Sequence, residues 1–573
     1  MKIALPKILF AICVTVFAFF PLTDTDIWWH LASARDFLEN GLATDDPFCW
    51  TASKSPWINV HLYFQLALYG VEHFAGTFGL VALKALLWGL VAFLWILPVK
   101  RKILPVHFAL LFAFAFLFRY AFECRPILLS MLFLGIFWNL LPQLEKRISA
   151  KWILSTVVLI AVEWIWVRTQ GLFPLGFVLA FCAIAFSFQD LSLSGKVGNG
   201  IFFVLLLLTP LAHTQGVLLW LYPLELLNRL VGGNASSQIF SQQIAENRAP
   251  TTLLAQGENQ AAMIALLVGI FISAFAILRH RHLAKPFQIA WLVIGIFLAA
   301  TAERNLTLFF FPFASIVLSH SGELLSLRSA LEKNLSVSKK MFSTSLQIFT
   351  VLGFAFVVGT FVRSLPAYFE NGSFKTISAE RLPIGAVEFM RSNPQSVSSR
   401  LFNDDRSGGY IEWKLPGVKT FADGRFILKD STFLANYLKF SEKPEDFFSF
   451  ADSLSIQRAL LPVRYIPLWI PLAKALEQNP EWTCVYQDSV YAVWDHHRIL
   501  VMDSTGNLIQ SIPSPDNYSF DHPEWIYGSN RYISFTLTSD YHEKIAVLDI
   551  QDSSVHVLAS GNDILHPDLW KNK

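Results

Sequence analysis

Asp24-Thr25-Asp26-Ile27-Trp28-Trp29-His30, directly after an apolar run over roughly residues 4 to 22, decides how this chain is read. Two carboxylates and an imidazole stand where a membrane helix meets water. The two tryptophans between them suit the headgroup level of a bilayer. Outward from this stretch, apolar runs of about 17 to 22 residues recur, as expected of a polytopic helical membrane protein. The composition agrees. Of 573 residues, 54% are hydrophobic and only 15% charged, against about 25% charged in soluble domains. Phenylalanine (52) and tryptophan (18) are abundant. The net charge of +2 gives no basis for a nucleic-acid partner. Cys13, Cys49, Cys124, Cys182 and Cys484 lack any Cys-x-x-Cys spacing, so neither a disulfide framework nor a metal site is inferred from them. No small-residue cleavage site follows the first apolar run, which reads as an uncleaved helix.

About eleven spans are predicted, beginning near Leu5, Phe78, Ile103, Pro126, Trp152, Gly171, Val197, Ala261, Pro286, Asn305 and Ser345. Basic residues cluster at alternate ends: Lys2 and Lys7; Lys100, Arg101 and Lys102; Lys146, Arg147 and Lys151; Lys196; Arg279, Arg281 and Lys285; and Arg328, Lys333, Lys339 and Lys340. If the spans alternate, all of these fall on one side, and the positive-inside rule makes that side the cytoplasm. The expectation is a multi-pass protein of the inner (cytoplasmic) membrane with a cytoplasmic amino terminus. The first loop (23–77), the loop near 213–260 and everything after Arg363 are then extracytoplasmic.

Three regions are expected: a transmembrane domain over 1–365, a soluble α/β domain over 366–497 and a short all-β segment over 498–573. In the second, strands are predicted at Arg400 to Asn403, Tyr410 to Trp413, Lys419 to Phe421, Ala459 to Pro462 and Val485 to Trp494. Helices are predicted at Ser431 to Phe440 and Pro467 to Gln478. In the third, Ile499-Leu-Val-Met-Asp503 recurs as Ile545-Ala-Val-Leu-Asp549, and His522-Pro-Glu-Trp525 as His566-Pro-Asp-Leu-Trp570. An offset of about 45 residues is that of a propeller blade, and the pattern resembles the blades of TolB-like (PD40) propellers. One blade and a fraction cannot close a ring, which points to a small β add-on, an oligomeric arrangement or a truncated relative of a longer protein; the alternative is two unrelated hairpins.

Candidate chemistry lies in the first outer loop and at the outer ends of spans. Asp24 and Asp26 are costly beside an apolar span unless they face water or a cavity, and burial makes a carboxylate a better base. Asp26 lies one helical turn before His30. Asp24 also suits a helix cap. A divalent-metal site from Asp24, Asp26 and His30 is conceivable, but the ligand set is poor. Asp46 and Trp57 complete the loop's candidates for substrate binding. Arg119, Arg125, Arg168 and Arg304 all fall at outer span ends, where a planar guanidinium can hold a lipid phosphate, snorkel to headgroups, or pair with Glu123, Glu163 or Glu303. Glu163 lies within a span, a site hypothesis by default, with an arginine or an acceptor hydroxyl as its expected partner. Gly408-Gly409-Tyr410 with Trp413, and Ala422-Asp423-Gly424-Arg425, read as turn-and-strand signatures; Asp423 or Arg425 could also contact sugar. No phosphate-binding glycine loop, zinc-protease helix or serine-nucleophile elbow is present, and no paired broken spans point to a transporter.

Asp26-Ile-Trp-Trp-His-Leu-Ala-Ser-Ala-Arg35, followed by Asn40-Gly41 and Asp46-Pro47-Phe48, resembles the first outer loop of GT-C-fold glycosyltransferases, among them the protein O-mannosyltransferase, aminoarabinose transferase and RgtA/B/C/D-like groups. Asp26 takes the place of the aspartate that begins that loop, and Ala34-Arg35 that of the alanine-arginine pair. The acidic neighbour usual in the family is Ile27 here. Arg125-Pro126, Gln170-Gly171, Glu303-Arg304-Asn305, Gly408-Gly409-Tyr410 and Asp423-Gly424-Arg425 resemble a bacterial branch of such proteins over residues 1–497. The resemblance implies an inverting transferase on the outer face. The donor is a polyprenyl-phosphate-linked sugar, and the acceptor a glycan, lipid or protein hydroxyl. Asp26, assisted by Asp24, is the base, and arginines hold the donor phosphate. A monophosphate leaving group held by arginine does not strictly require a metal. The competing expectation is a non-catalytic, membrane-anchored binding or assembly protein of the cell envelope.

Overall fold

A computed structural model describes residues 4–51, 56–100, 103, 105–144, 148–231, 239–240, 247–279, 285–319, 339–370, 372–394, 400–496, 498–502, 508–513, 519–525, 532–539, 542–549, 551 and 554–561. The chain forms two units. The first is Met1–Thr44 with Trp57–Ser378, and the second is Asp45–Pro56 with Ala379–Lys573. The first outer loop is therefore shared: its middle, residues 45–56, is part of the second unit.

The first unit is helical. Its elements begin with α1 (Ala4–Ala18), α2 (Asp26–Asn40), α3 (Leu62–Ile96), α4 (Pro105–Leu117), α5 (Ile127–Leu140), α6 (Ala150–Val167), α7 (Pro174–Ser187), α8 (Leu193–Leu208) and α9 (Gly216–Val231). They continue with Pro250–Gln256, Gln260–Arg279, Pro286–Thr301, Leu306–Ser319 and Lys339–Ser364. Local signals set the ends. The Ser149 and Ser192 hydroxyls accept from the amides of Trp152 and Gly195 and start α6 and α8. Pro174 and Pro286 sit in first turns, where their missing N–H costs nothing. Gly76 (φ 59°, ψ −162°) breaks α3 in two, in a region that residues with a Cβ avoid. The first half of α3 thus belongs to the outer loop of the sequence reading, and the second half is the apolar span.

A helix occurs at each segment read as a span. Among the described residues, five, Leu62–Ile96, Ala150–Val167, Leu193–Ala212, Gln260–Leu278 and Thr350–Tyr368, are long and apolar enough to cross a membrane. Others are apolar but only 10–17 residues long, or roughly 15–26 Å against a hydrocarbon core of roughly 30 Å. The interior is aromatic. Trp88 stacks on Phe311 at 5.8 Å, Trp95 lies 5.0 Å from Trp138, and these side chains are fully buried.

In the second unit, a four-stranded sheet has the order β3 (Arg400–Asn403), β4 (Ile456–Pro462), β6 (Tyr491–His496), β5 (Trp482–Gln487). The short β1 (Phe369–Glu370) and β2 (Ser373–Phe374) precede it as a hairpin of the first unit. β3 and β4 are parallel and the other pairs antiparallel. The β3–β4 crossover carries the helices Asp405–Lys414, Ser431–Glu442 and Glu445–Ser453.

Tyr410 to Trp413, expected as a strand, is helical. Gly408 within that helix explains why, since a Cβ there would lie 2.3 Å from the Ala422 carbonyl oxygen. The glycine lets a helix backbone pack where a strand was read. Lys419 to Phe421 makes only an isolated parallel bridge, Thr420 to Cys49. Val485 to Trp494 is a hairpin, β5–β6, turning at Asp488, whose carboxylate accepts from the amides of Val490 and Tyr491. Beyond these, β7 (Arg498–Met502) pairs with β8 (Leu508–Pro513). β9 (Ser519–Trp525), β10 (Tyr532–Ser539), β11 (His542–Asp549) and β12 (Ser554–Gly561) form an antiparallel meander. The meander straddles the boundary of the predicted repeat. His566 to Trp570 lies outside the described residues.

Candidate functional site

The outlet of α1 is fixed before any chemistry begins. The Leu22 amide donates to the Thr376 carbonyl and its own carbonyl accepts from the Ser378 amide, each at 2.9 Å. The Lys84 ammonium, within α3, donates to the Phe20 carbonyl at 2.9 Å. Two residues on, Asp24 is 1% exposed, and its Oδ1 accepts from Arg125 Nη2 at 2.7 Å and from the Asp26 amide at 3.2 Å. The Thr23 hydroxyl donates to Glu123, and Trp88 Nε1 donates to the Glu123 carbonyl at 3.1 Å. The α1 outlet is thereby bound to the turn between α4 and α5. Asp26 opens α2, half-buried, in the helix's first turn. Asp24 holds the turn, and Asp26 stands at its mouth.

His30 points elsewhere. It is 2% exposed, its ring lies 3.7 Å from Trp29, 5.0 Å from Phe64 and 5.3 Å from His61, and its Nδ1 is 3.4 Å from Gln65 Nε2. Gln65 in turn accepts from Asn59 at 2.7 Å. Asp24, Asp26 and His30 do not form one of the potential metal-ligand groups among the described residues. Trp57 is buried, with its amide on the Thr44 carbonyl. Arg168, 2% exposed, donates to the Asn59 carbonyl at 3.1 Å, to the Thr214 hydroxyl at 3.0 Å and to the Thr214 carbonyl. Its guanidinium thus joins the end of α6 to the backbone at Asn59 and Thr214.

Arg119 donates to the Phe116 carbonyl at 3.0 Å and lies over the Phe116 ring. Arg304 is exposed in the turn Glu303–Asn305, whose Glu303 accepts from Asn259. Glu163 is fully buried on α6 and neither carboxylate oxygen has a hydrogen-bond partner among the described residues. None of the four arginines bonds to it among the described residues. It faces Gly176 of α7, where a Cβ would come within 2.2 Å of Oε2.

Asp46 belongs to the second unit. Residues 46–51 run alongside 419–421: the Thr420 amide donates to Phe48 at 3.1 Å and the Trp50 amide to the Thr420 carbonyl at 2.9 Å. Trp50 Nε1 donates to the Leu401 carbonyl at 2.8 Å and the Thr51 hydroxyl to Phe421 at 2.6 Å. Arg425, 2% exposed, bridges Asp46 at 2.7 Å and Asp423 at 2.5 Å, and Lys429 donates to the Thr51 carbonyl at 2.9 Å. Burial pushes the Asp46 carboxyl up, but Arg425, the Phe48 amide and Lys429 together hold it below the usual range. Glu412 is pushed well up by burial and then by the Asp423 charge. Asp46 and Asp423 face Arg425 and Lys429, with Glu412 beside them. The sequence reading found Asp46, Asp423 and Arg425 separately. Their opposite charges were the signal that Asp46-Pro-Phe and Asp423-Gly-Arg interlock.

No protein-family model matches the chain, and no curated protein matches it in sequence. Among solved structures it is similar to the archaeal oligosaccharyltransferase AglB from Archaeoglobus fulgidus in complex with an inhibitory peptide and a dolichol-phosphate, at 13% identity and a TM-score of 0.49, over 92% of this chain and 79% of that one. It is also similar to the apo form of the Archaeoglobus fulgidus oligosaccharyltransferase, at 14% identity and a TM-score of 0.48, over 90% and 74%.

Proposed function

We propose that this chain is an integral-membrane glycosyltransferase that moves a sugar from a polyprenyl phosphate to an acceptor hydroxyl on the extracytoplasmic face, with Asp26 as the base. The supporting observation is the different burial of the two aspartates. Asp24 is buried and held by Arg125, whereas Asp26 is half-buried at the first turn of α2. In the reaction, Asp26 takes the proton of the acceptor hydroxyl as its oxygen attacks the anomeric carbon. The bond from that carbon to the phosphate oxygen breaks, and the lipid phosphate leaves with inversion. Arg304, exposed in its turn, and Arg119, which gives one nitrogen to the Phe116 carbonyl, are the arginines assigned to that phosphate. The apolar helices provide the bilayer location. An acceptor of glycan, lipid or protein type is compatible with a base at the membrane surface.

The test is transfer from a lipid-linked sugar by the purified protein and by Asp26→Asn. Full activity in the variant removes Asp26 as base.

One observation favours a second reading, a non-catalytic envelope binding or assembly protein. Ile27, at the position that is acidic in the resembled family, is fully buried. On that reading the cellular phenotype survives Asp26→Asn and is lost on Arg425→Met, which loosens the second unit.

A further inference from the structure

A histidine in the second unit is held in a way that the α/β fold does not require. His496 ends β6 and pairs in register with Trp482 of β5. The two rings stack at 4.4 Å with 4° between their planes. On its other side Nδ1 lies 3.2 Å from the Ile456 carbonyl oxygen of β4. The carbonyl can only accept, so Nδ1 carries the proton and the lone pair of the neutral ring is on Nε2. That atom faces two carboxylates: Asp452 Oδ1 at 3.8 Å, from the end of the helix Glu445–Ser453, and Glu481 Oε2 at 3.9 Å, from the residue before β5. The His496 side chain is 4% exposed, while those of Asp452 and Glu481 are 37% and 34% exposed.

These separations are too long for the hydrogen bond that a protonated imidazole makes to a carboxylate, roughly 2.7–3.2 Å. They are close to those of ligands on a shared metal. Nitrogen and oxygen at roughly 2.0–2.2 Å from one ion stand about 3.4 Å apart at the tetrahedral angle. All three donor atoms already lie within 4.8 Å of one another. The exposed carboxylates can close the remaining half ångström or so by rotamer adjustment, while the buried ring stays fixed. A ring N–H given to a backbone carbonyl is the usual support behind a metal-binding imidazole. The other potential ligand group, Cys49, Glu412 and Asp423, lies against Arg425, whose bond to Asp423 already supplies positive charge.

We propose that Asp452, Glu481 and His496 bind a divalent transition-metal ion of the Zn²⁺ type, clipping the helix Glu445–Ser453 to the β5–β6 edge and leaving a coordination position open to solvent. The inference does not depend on the glycosyltransferase reading.

The test uses the full-length protein in detergent, stripped with chelator and titrated with Co²⁺ and with Zn²⁺. The expected result is one saturable Co²⁺ site with visible d–d absorption, no thiolate-to-cobalt band, and a higher unfolding midpoint with Zn²⁺. His496→Gln and, because it changes an exposed group, Glu481→Gln should each weaken binding at least about tenfold, while Cys49→Ser leaves it intact. Absence of saturable binding overturns the proposal. So does binding unchanged in both variants, or a thiolate band abolished by Cys49→Ser. A Glu481→Gln variant that keeps full affinity and loses as much stability in chelator as in Zn²⁺ shows an ion-paired histidine instead.

Discussion

Arg125 Nη2 stands 2.7 Å from Asp24 Oδ1 across 101 residues of sequence, and the carboxylate side is 1% exposed. The pair makes the α1 outlet and the α4–α5 turn one piece. Removing only the arginine leaves a buried charge without its cation, a loss of about 3 kcal/mol. Arg125→Met should therefore lower the denaturant midpoint in detergent, and adding Asp24→Asn to it should restore most of the loss. An unchanged midpoint in Arg125→Met means the pair contributes nothing.

Asp24 and Asp26, two residues apart, should respond oppositely to amide substitution. Asp26→Asn should retain the wild-type unfolding midpoint and lose transfer activity by about 10²–10⁴-fold, the range for a general base. Asp24→Asn should lower the midpoint, with any activity change following the folded fraction.

Asp46 and Arg425 should be energetically coupled although 379 residues separate them. A double-mutant cycle with Asp46→Asn and Arg425→Met should give an interaction of about 1–3 kcal/mol, read as stability of the second unit. An additive result would mean that residues 45–56 are held by their backbone bonds alone.

The second unit carries a pH-dependent term at Asp404, which lies at the end of β3. It is fully buried, and burial followed by the charge of Asp405 pushes its carboxyl up to about 7. The folded form keeps the proton that an unfolded aspartate gives up near pH 4. Its contribution is thus complete below that value and is lost as pH rises through about 7. Asp404→Asn keeps the neutral form at all pH values. Relative to wild type it should gain stability between pH 4.5 and 8, by up to about 4 kcal/mol. A difference that does not vary with pH refutes the assignment.

Glu163 and Gly176 form a fitted pair between α6 and α7. A methyl at Gly176 would lie 2.2 Å from Glu163 Oε2 and 3.2 Å from the Trp166 ring. Gly176→Ala should cost about 1–3 kcal/mol by overpacking, and Glu163→Ala in the same chain should relieve most of it. Equal stability of Gly176→Ala and wild type would show that the carboxyl moves aside freely.

Much of the fold was legible because apolar length and period are local properties. The segments near Leu5, Trp152 and Ala261 became helices, and so did Ser431 to Phe440. Tyr410 to Trp413 misled because its residue types suit a strand, while the glycine that admits a helix there acts through the distant Ala422 carbonyl.

The sequence by itself determined that the chain is rich in apolar helices, that an α/β region follows them, and that Asp24 and Asp26 stand at the outlet of the first helix. These follow from composition and from spacing along the chain. Tertiary structure decided which partners the charged residues meet. Arg125 is met by Asp24, Asp46 by Arg425, and Glu163 faces Gly176 rather than one of the four arginines. A charged side chain's role is set by the partner that removes it from water, and across 101 or 379 residues that partner is chosen by packing rather than by sequence.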